Sequence, residues 1–137
     1  MKISKTLLTT GLILTATAAF AQTEKPLSCK TLRHSKLVAV DEEDEHRYVL
    51  IRGKKHIEYF GDKKRYIKSN IKWTSDCSFK ATMTECTVPD FPLKVGAVML
   101  VQFETYKKGV WHGKVTIGDE SVPIEYVNVE EKKKNNK

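Results

Sequence analysis

The sequence lacks the motifs that mark the common catalytic and nucleotide-binding sites. It contains no G-x-S-x-G nucleophile elbow, no H-E-x-x-H zinc motif and no glycine run that could cradle a phosphate. No histidine falls at metal-ligand spacing from a cysteine or a carboxylate; the histidines are His34, His46, His56 and His112. We therefore expect no metal site and no cofactor, and an enzyme is the least favoured class of function.

Long apolar runs are also scarce. The one such run, residues 7–18, is interrupted by threonines and is shorter than the roughly 20 residues of a membrane span. It follows Lys2 and Lys5 and precedes Ala19-Phe20-Ala21, which is the pattern of an export signal cleaved before Gln22. Residues 1–21 are therefore predicted to be a signal peptide. No later run approaches spanning length, so we expect a periplasmic or secreted protein without a transmembrane segment.

The chain has little net charge outside its last residues. Residues 22–131 contain 18 basic and 17 acidic side chains, although the whole chain has a net charge of +7. The basic excess lies in residues 132–137, a lysine-rich stretch without apolar side chains that is predicted to be a disordered tail. A polyanion-binding domain would carry its excess on a folded face. We therefore expect a single domain over residues 22–131 and do not expect nucleic acid as a partner.

Alternation of apolar and polar residues dominates the chain from residue 37 onward and predicts half-buried strands. Short polar turns separate these segments and leave no room for the helices that parallel crossovers need. The sequence thus predicts an all-β antiparallel meander that forms a small up-and-down barrel or a curled half-barrel. About eight strands are expected, at residues 36–41, 46–52, 55–60, 65–73, 77–84, 96–106, 110–117 and 121–129.

Three cysteines in an exported chain predict one disulfide. Cys77 and Cys86 fall at opposite ends of one predicted strand, about 30 Å apart, whereas a disulfide requires Cα atoms within about 7 Å. Spacing therefore disfavours that pair and leaves Cys29–Cys77 and Cys29–Cys86 open.

Several short runs resemble a family of small secreted proteins of Bacteroidetes. They are Cys29-x-x-Leu32, Tyr48-x-Leu50-x-Arg52 and, above all, WTSDCSF at residues 73–79, which is similar to the family's W-x-S-D-C-x-[YF] run. The resemblance covers most of the chain after residue 21 and implies no particular activity. Some members carry the name DNA topoisomerase IV, but one small exported domain cannot perform strand passage. Together with the inward parity of Cys77, the resemblance favours the Cys29–Cys77 disulfide, with Cys86 outside the family pattern.

The predicted barrel interior is the candidate site. The meander is loosely similar to calycin barrels, which bind small apolar ligands, and its inward positions would line a pocket with Trp73, Phe79, Met83, Phe103 and Trp111. The same side chains could instead simply fill a small barrel. Glu58 is expected to face solvent. If it instead points inward together with Arg52, the two residues would add a polar site that orients a ligand.

We therefore expect an exported, non-enzymatic binding module for a small apolar ligand. The alternative is an envelope protein–protein interaction or inhibitor module that uses loops such as residues 85–95 to bind an envelope protein.

The first testable prediction concerns processing. The exported protein should begin at Gln22, because signal peptidase accepts the small residues Ala19 and Ala21. N-terminal sequencing and the intact mass of material from the cell envelope or medium measure this directly. An uncut start, or a diacylglycerol mass on Cys29, would contradict the prediction of a soluble exported chain.

Overall fold

The computed structural model describes residues 26–137 and shows a closed antiparallel barrel of eight strands. Each strand pairs with the next one along the chain, and β8 pairs with β1 to complete the ring. The predicted meander is confirmed, and it closes fully. The predicted signal peptide lies outside the described residues. The strands are β1 (His34–Ala39), β2 (Tyr48–Arg52), β3 (Lys55–Tyr59), β4 (Tyr66–Ser75), β5 (Ser78–Cys86), β6 (Val98–Lys107), β7 (Val110–Ile117) and β8 (Glu120–Asn128).

Strand boundaries differ from the predicted ones by a few residues, for local reasons. The sixth strand begins at Val98 rather than at residue 96, because Gly96 has φ +95° and Ala97 N–H donates to the Lys94 carbonyl in a turn. β5 continues to Cys86, which pairs with Ile67 of β4. These shifts leave the inward and outward faces of the strands as the alternation predicts.

The two ends of the barrel differ, and we call them the closed end and the open end. The closed end is the one at which β1 begins, and a 3₁₀ helix (Lys30–Arg33) lies across it. Leu32 of this helix and the preceding Cys29 are completely buried, and Cys29 forms a disulfide with Cys77. The Cys29 N–H also donates to the Asp76 carboxylate at 3.0 Å. The predicted Cys29–Cys77 pairing is therefore confirmed.

Aromatic side chains fill the half of the barrel beneath this helix. The rings of Trp73 and Phe79 meet edge to face with centroids 4.9 Å apart. Phe103 and Trp111 form a second edge-to-face pair at 6.1 Å. Outside, the Arg33 guanidinium lies 4.0 Å over the Trp73 ring, an arrangement that favours cation–π attraction. The closed half is thus a packed core.

A glycine allows two neighbouring strands to approach closely. Between Phe103 and Thr105 the register of β6 shifts against β7, as expected for a β-bulge. At this place a Cβ on Gly113 would lie 2.1 Å from the Gln102 carbonyl oxygen. Only glycine fits there without backbone movement, so the bend of the barrel wall depends on this residue.

The end of the chain differs from the prediction of a disordered tail from residue 132. A helix, α1 (Val129–Asn135), crosses that boundary. The Asn128 side chain caps it by accepting from the Glu130 N–H at 3.2 Å, and Glu130 and Glu131 suit the positive end of the helix dipole. A helix this short and polar has no apolar periodicity to reveal it in the sequence. No helix within residues 26–137 is long and apolar enough to cross a membrane.

We predict that the disulfide provides a large part of the stability. Replacing both Cys29 and Cys77 by serine should lower the free energy of unfolding by about 4 kcal/mol, because the bridge joins residues 48 positions apart and restricts the unfolded chain. Urea unfolding followed by tryptophan fluorescence measures the loss. Cys86→Ser is the matched control, since Cys86 is a free cysteine, and it should change the midpoint little. Equal losses in both variants would contradict the prediction.

Candidate functional site

The open half of the barrel is hollow. It encloses a cavity of about 230 Å³ that is not sealed at the open end. Its walls are mainly apolar side chains that alternate inward from the strands, among them Ile51, Ile67, Ala81, Met83, Val101 and Ile124. A mainly apolar concavity with a few polar groups is the usual form of a small-molecule site.

The loop between β5 and β6 contributes the outer wall of this cavity. Phe91 and Leu93 line it at the open end, and both side chains remain partly exposed. The Phe91 ring packs edge to face against Phe60 with centroids 6.2 Å apart, which ties the loop to the end of β3. A ligand entering from this end would therefore pass apolar side chains of the loop.

His56 is the most buried ionisable group in the cavity wall. Its side chain is 6% exposed, its ring lies 5.9 Å from that of Phe79, and its Nδ1 atom has no hydrogen-bond partner among the described residues. Burial lowers the pKa of His56 to about 4, so the imidazole is neutral at physiological pH. Ser69 of β4 lies directly opposite it in the β3–β4 register, is also buried, and lines the same cavity.

A second polar group lies nearer the open end. Glu58 and Tyr126 line the main cavity and also an adjoining cavity of about 260 Å³ bordered by Arg47. Burial raises the pKa of Glu58, against the opposing charge of Arg47. Burial and the Glu58 charge raise the pKa of Tyr126 to about 12. The ion-pair partner of Arg47 is Glu42, whose carboxylate lies 3.5 Å from the Arg47 Nε atom.

The structure divides the predicted site residues into two groups. Phe79, Met83, Phe103 and Glu58 line the cavity, whereas Trp73 and Trp111 do not. Both tryptophans pack in the closed half, where the Trp73 Nε1–H donates to the Gly53 carbonyl at 3.1 Å.

Arg52 does not join Glu58. It lies at the closed end, where it donates to the Ser35 carbonyl at 2.9 Å and pairs with Glu130 at 2.6 Å. The barrel therefore separates the two charged residues that the sequence offered as one polar site, because consecutive residues point to opposite faces and Ile51 is the inward one.

His56, Ser69 and Tyr126 are site residues that the sequence reasoning missed. A usable signal existed for His56: only two residues join β2 to β3, so the buried Ile51 must face His56 across the hairpin. The inward position of His56 then places Glu58 on the same face. The apolar Ile57 between them suggests the opposite arrangement, in which Ile57 faces inward and His56 and Glu58 face outward.

No group of three or more potential metal ligands gathers anywhere in residues 26–137. Cys86 is a half-buried free thiol whose Sγ lies 3.9 Å from the Val88 carbonyl oxygen.

The two ends of the barrel also differ in charge. The open end holds the acidic loop at residues 41–45 with Asp62, Asp119 and Glu120, set against Lys63, Lys64 and Arg65. The closed end gathers basic side chains from its turns and helices, set against Asp76, Glu130 and Glu131; the basic residues include Lys30, Arg33, Lys54, Lys107, Lys108, Lys133 and Lys134. The near-neutral net charge of residues 22–131 thus hides a charge difference between the two ends of the barrel, to which Lys133 and Lys134 of α1 add.

Comparisons of the chain with models of protein families, with curated proteins and with solved structures find no significant match. The resemblance to the Bacteroidetes family stays a prediction. A functional assignment therefore has to be argued from the geometry and chemistry of the barrel.

We predict that His56 makes the fold sensitive to mild acid. Between its ordinary pKa of 6.5 and its folded pKa of about 4, the unfolded chain binds a proton that the folded chain excludes. The free energy of unfolding should therefore fall by up to about 3 kcal/mol as the pH drops across that range. Urea unfolding at pH 7 and pH 4.5 measures the loss.

The His56→Leu variant should lose less stability over the same interval, because it lacks the imidazole that takes up a proton on unfolding. The raised pKa of Glu58 acts in the opposite direction, but its effect is common to both proteins. His112→Leu is the control, since His112 pairs with Glu125 on the outer face of β7. If wild type and His56→Leu lost equal stability, the prediction that His56 is buried in its neutral form would be wrong.

Proposed function

We propose that this protein is an exported, non-enzymatic binding module whose barrel holds a small, mostly apolar ligand. The observation that carries the proposal is the cavity of about 230 Å³ in the open half. Aromatic side chains fill the closed half, so the hollow is not a general failure of the barrel to pack. Protein interiors are close-packed, so an empty space of this size requires an explanation, and a bound ligand provides one.

The volume limits the size of that ligand. An apolar protein cavity of about 150 Å³ accepts benzene, so by proportion a cavity of about 230 Å³ holds on the order of nine non-hydrogen atoms. This is smaller than the drug-sized ligands of typical binding pockets, which occupy about 300–1,000 Å³. We therefore propose a single-ring or short-chain molecule rather than a long lipid.

Export is supported by the Cys29–Cys77 disulfide at the closed end, in which Cys29 is completely buried and Cys77 half-buried. Disulfides persist mainly in oxidising compartments such as the periplasm and the extracellular space. The predicted signal peptide, the resemblance to secreted Bacteroidetes proteins and the loose likeness to calycin barrels agree with this proposal.

Catalysis is the weaker candidate, although His56, Glu58 and Tyr126 all have shifted pKa values. With a pKa of about 4, His56 is a poor general base at neutral pH. Its Nδ1 atom also lacks, within residues 26–137, the acceptor that orients the imidazole of a Ser-His-Asp triad. Burial is the largest cause in each of the three groups, which fits a dry binding cavity.

Native mass spectrometry of protein purified from its own cell envelope tests the proposal. We expect an added mass of about 120 Da, the mass of the roughly nine non-hydrogen atoms that the cavity volume allows. A bound protein without a small molecule would instead support the interaction-module alternative.

The Ala81→Leu variant tests whether the added mass comes from a ligand inside the cavity. Ala81 is buried in the cavity wall, and the larger side chain should occupy the ligand's space and remove the added mass. Thr82→Leu makes the same replacement at the exposed neighbouring position of β5 and should keep the ligand. Circular dichroism checks that both variants fold. Retention of the ligand by Ala81→Leu would show that it binds outside the cavity.

A further inference from the structure

His56 and Ser69 form a small polar spot within otherwise apolar walls. They are direct partners across the β3–β4 ladder, both are buried, and both line the cavity. Around them lie Ile67, Phe79, Ala81 and Met83. Two polar side chains on adjacent strands, deep in the hollow half, are unusual in a region where folding favours apolar contacts.

The imidazole is incompletely satisfied. The His56 Nδ1 atom has no hydrogen-bond partner within the described part of the chain, and a buried polar atom without a partner costs stability. A neutral imidazole offers one donor and one acceptor, and a serine hydroxyl offers both. A ligand hydroxyl also donates and accepts, so it can pair with this spot whichever His56 nitrogen carries the proton.

An ionised ligand group does not suit the spot. His56 is neutral at physiological pH, and no charged side chain lies opposite it on β4 or β2, where its partners are Ser69 and Ile51. Among the residues that line the same cavity, the other acidic or basic side chain is Glu58, which lies toward the open end, and Arg47 borders only the adjoining cavity. Burying an unpaired ion costs far more than burying a hydroxyl that finds a hydrogen bond.

We propose that the cavity selects a small apolar ligand bearing one uncharged hydroxyl, which hydrogen-bonds to His56 and Ser69. This inference rests on the proposed function, since it names the ligand class of the same cavity. A phenol or a short-chain alcohol has the required chemistry.

The matched probes are p-cresol and p-xylene, which have nearly the same shape and differ by a hydroxyl in place of a methyl group. Isothermal titration calorimetry on the full chain measures both dissociation constants, which should lie on the order of 0.1–1 mM for ligands of this size. The quantity tested is the ratio of the two constants. It should shift about tenfold toward p-xylene in His56→Leu, because the cresol hydroxyl then loses its partner.

The controls separate the possible failures. His112→Leu on the outer face should leave the ratio unchanged, and Ser69→Ala should shift it in the same direction as His56→Leu by a smaller factor. If wild type bound neither probe, the proposed function would fail with the inference. If both probes bound and the ratio were the same in wild type and His56→Leu, the cavity would remain a binding site and only the hydroxyl preference would be overturned.

A measurement on the unmodified protein covers the case in which His56→Leu does not fold. Nitrogen-15 resonances of the His56 ring should move when p-cresol binds, because a hydrogen bond changes the electronic environment of the ring nitrogen. Saturating p-xylene should move them far less. Equal movement with both ligands would contradict the proposal.

Discussion

The pairing of β1 with β8 is the constraint on which the rest of the structure depends. Three consecutive residue pairs, from Leu37 with Asn128 to Ala39 with Tyr126, turn an open meander into a ring. Closure leaves no unpaired sheet edge and assigns every residue of each strand to the inside or the outside. Once the inside is defined, an eight-stranded barrel is just wide enough either to fill with side chains or to hold one small ligand.

Side-chain size decides between these outcomes, and it decides differently at the two ends. Trp73 and Trp111 occupy the closed half together with Leu32 of the 3₁₀ helix. In the open half the inward positions include the small residues Ser69 and Ala81, which leave room for the cavity. The disulfide and the packed aromatics therefore stabilise one half, and the other half can keep a hollow without loss of the fold.

The fold could be predicted from the sequence because its determinants are local. Alternation in segments such as residues 67–73 and the short polar turns require an antiparallel meander, and every observed strand boundary lies within two residues of the predicted one. The helix α1 escaped prediction, since its stability comes from an Asn128 cap and not from an apolar face. Whole-chain charge was equally uninformative, because charge separation along the barrel axis depends on which turns share an end.

The site was harder to predict, since it depends on distances between strands. Inward parity found Phe79, Met83 and Phe103, but parity cannot tell a cavity-lining residue from a packed one, and Trp73 and Trp111 proved to be packed. Arg52 and Glu58 were paired by their charges, although the β2–β3 hairpin places them at opposite ends.

A neutral histidine in an apolar wall links the stability of this barrel to its proposed ligand. Burial of His56 without a partner for Nδ1 disfavours the folded state, most of all in acid, where the unfolded chain takes up a proton. A ligand whose hydroxyl pairs with His56 and Ser69 binds only the folded chain, so occupancy stabilises the barrel by mass action. Protonation of His56 and ligand binding then oppose each other at one side chain, because the charged ring would be buried beside an uncharged ligand.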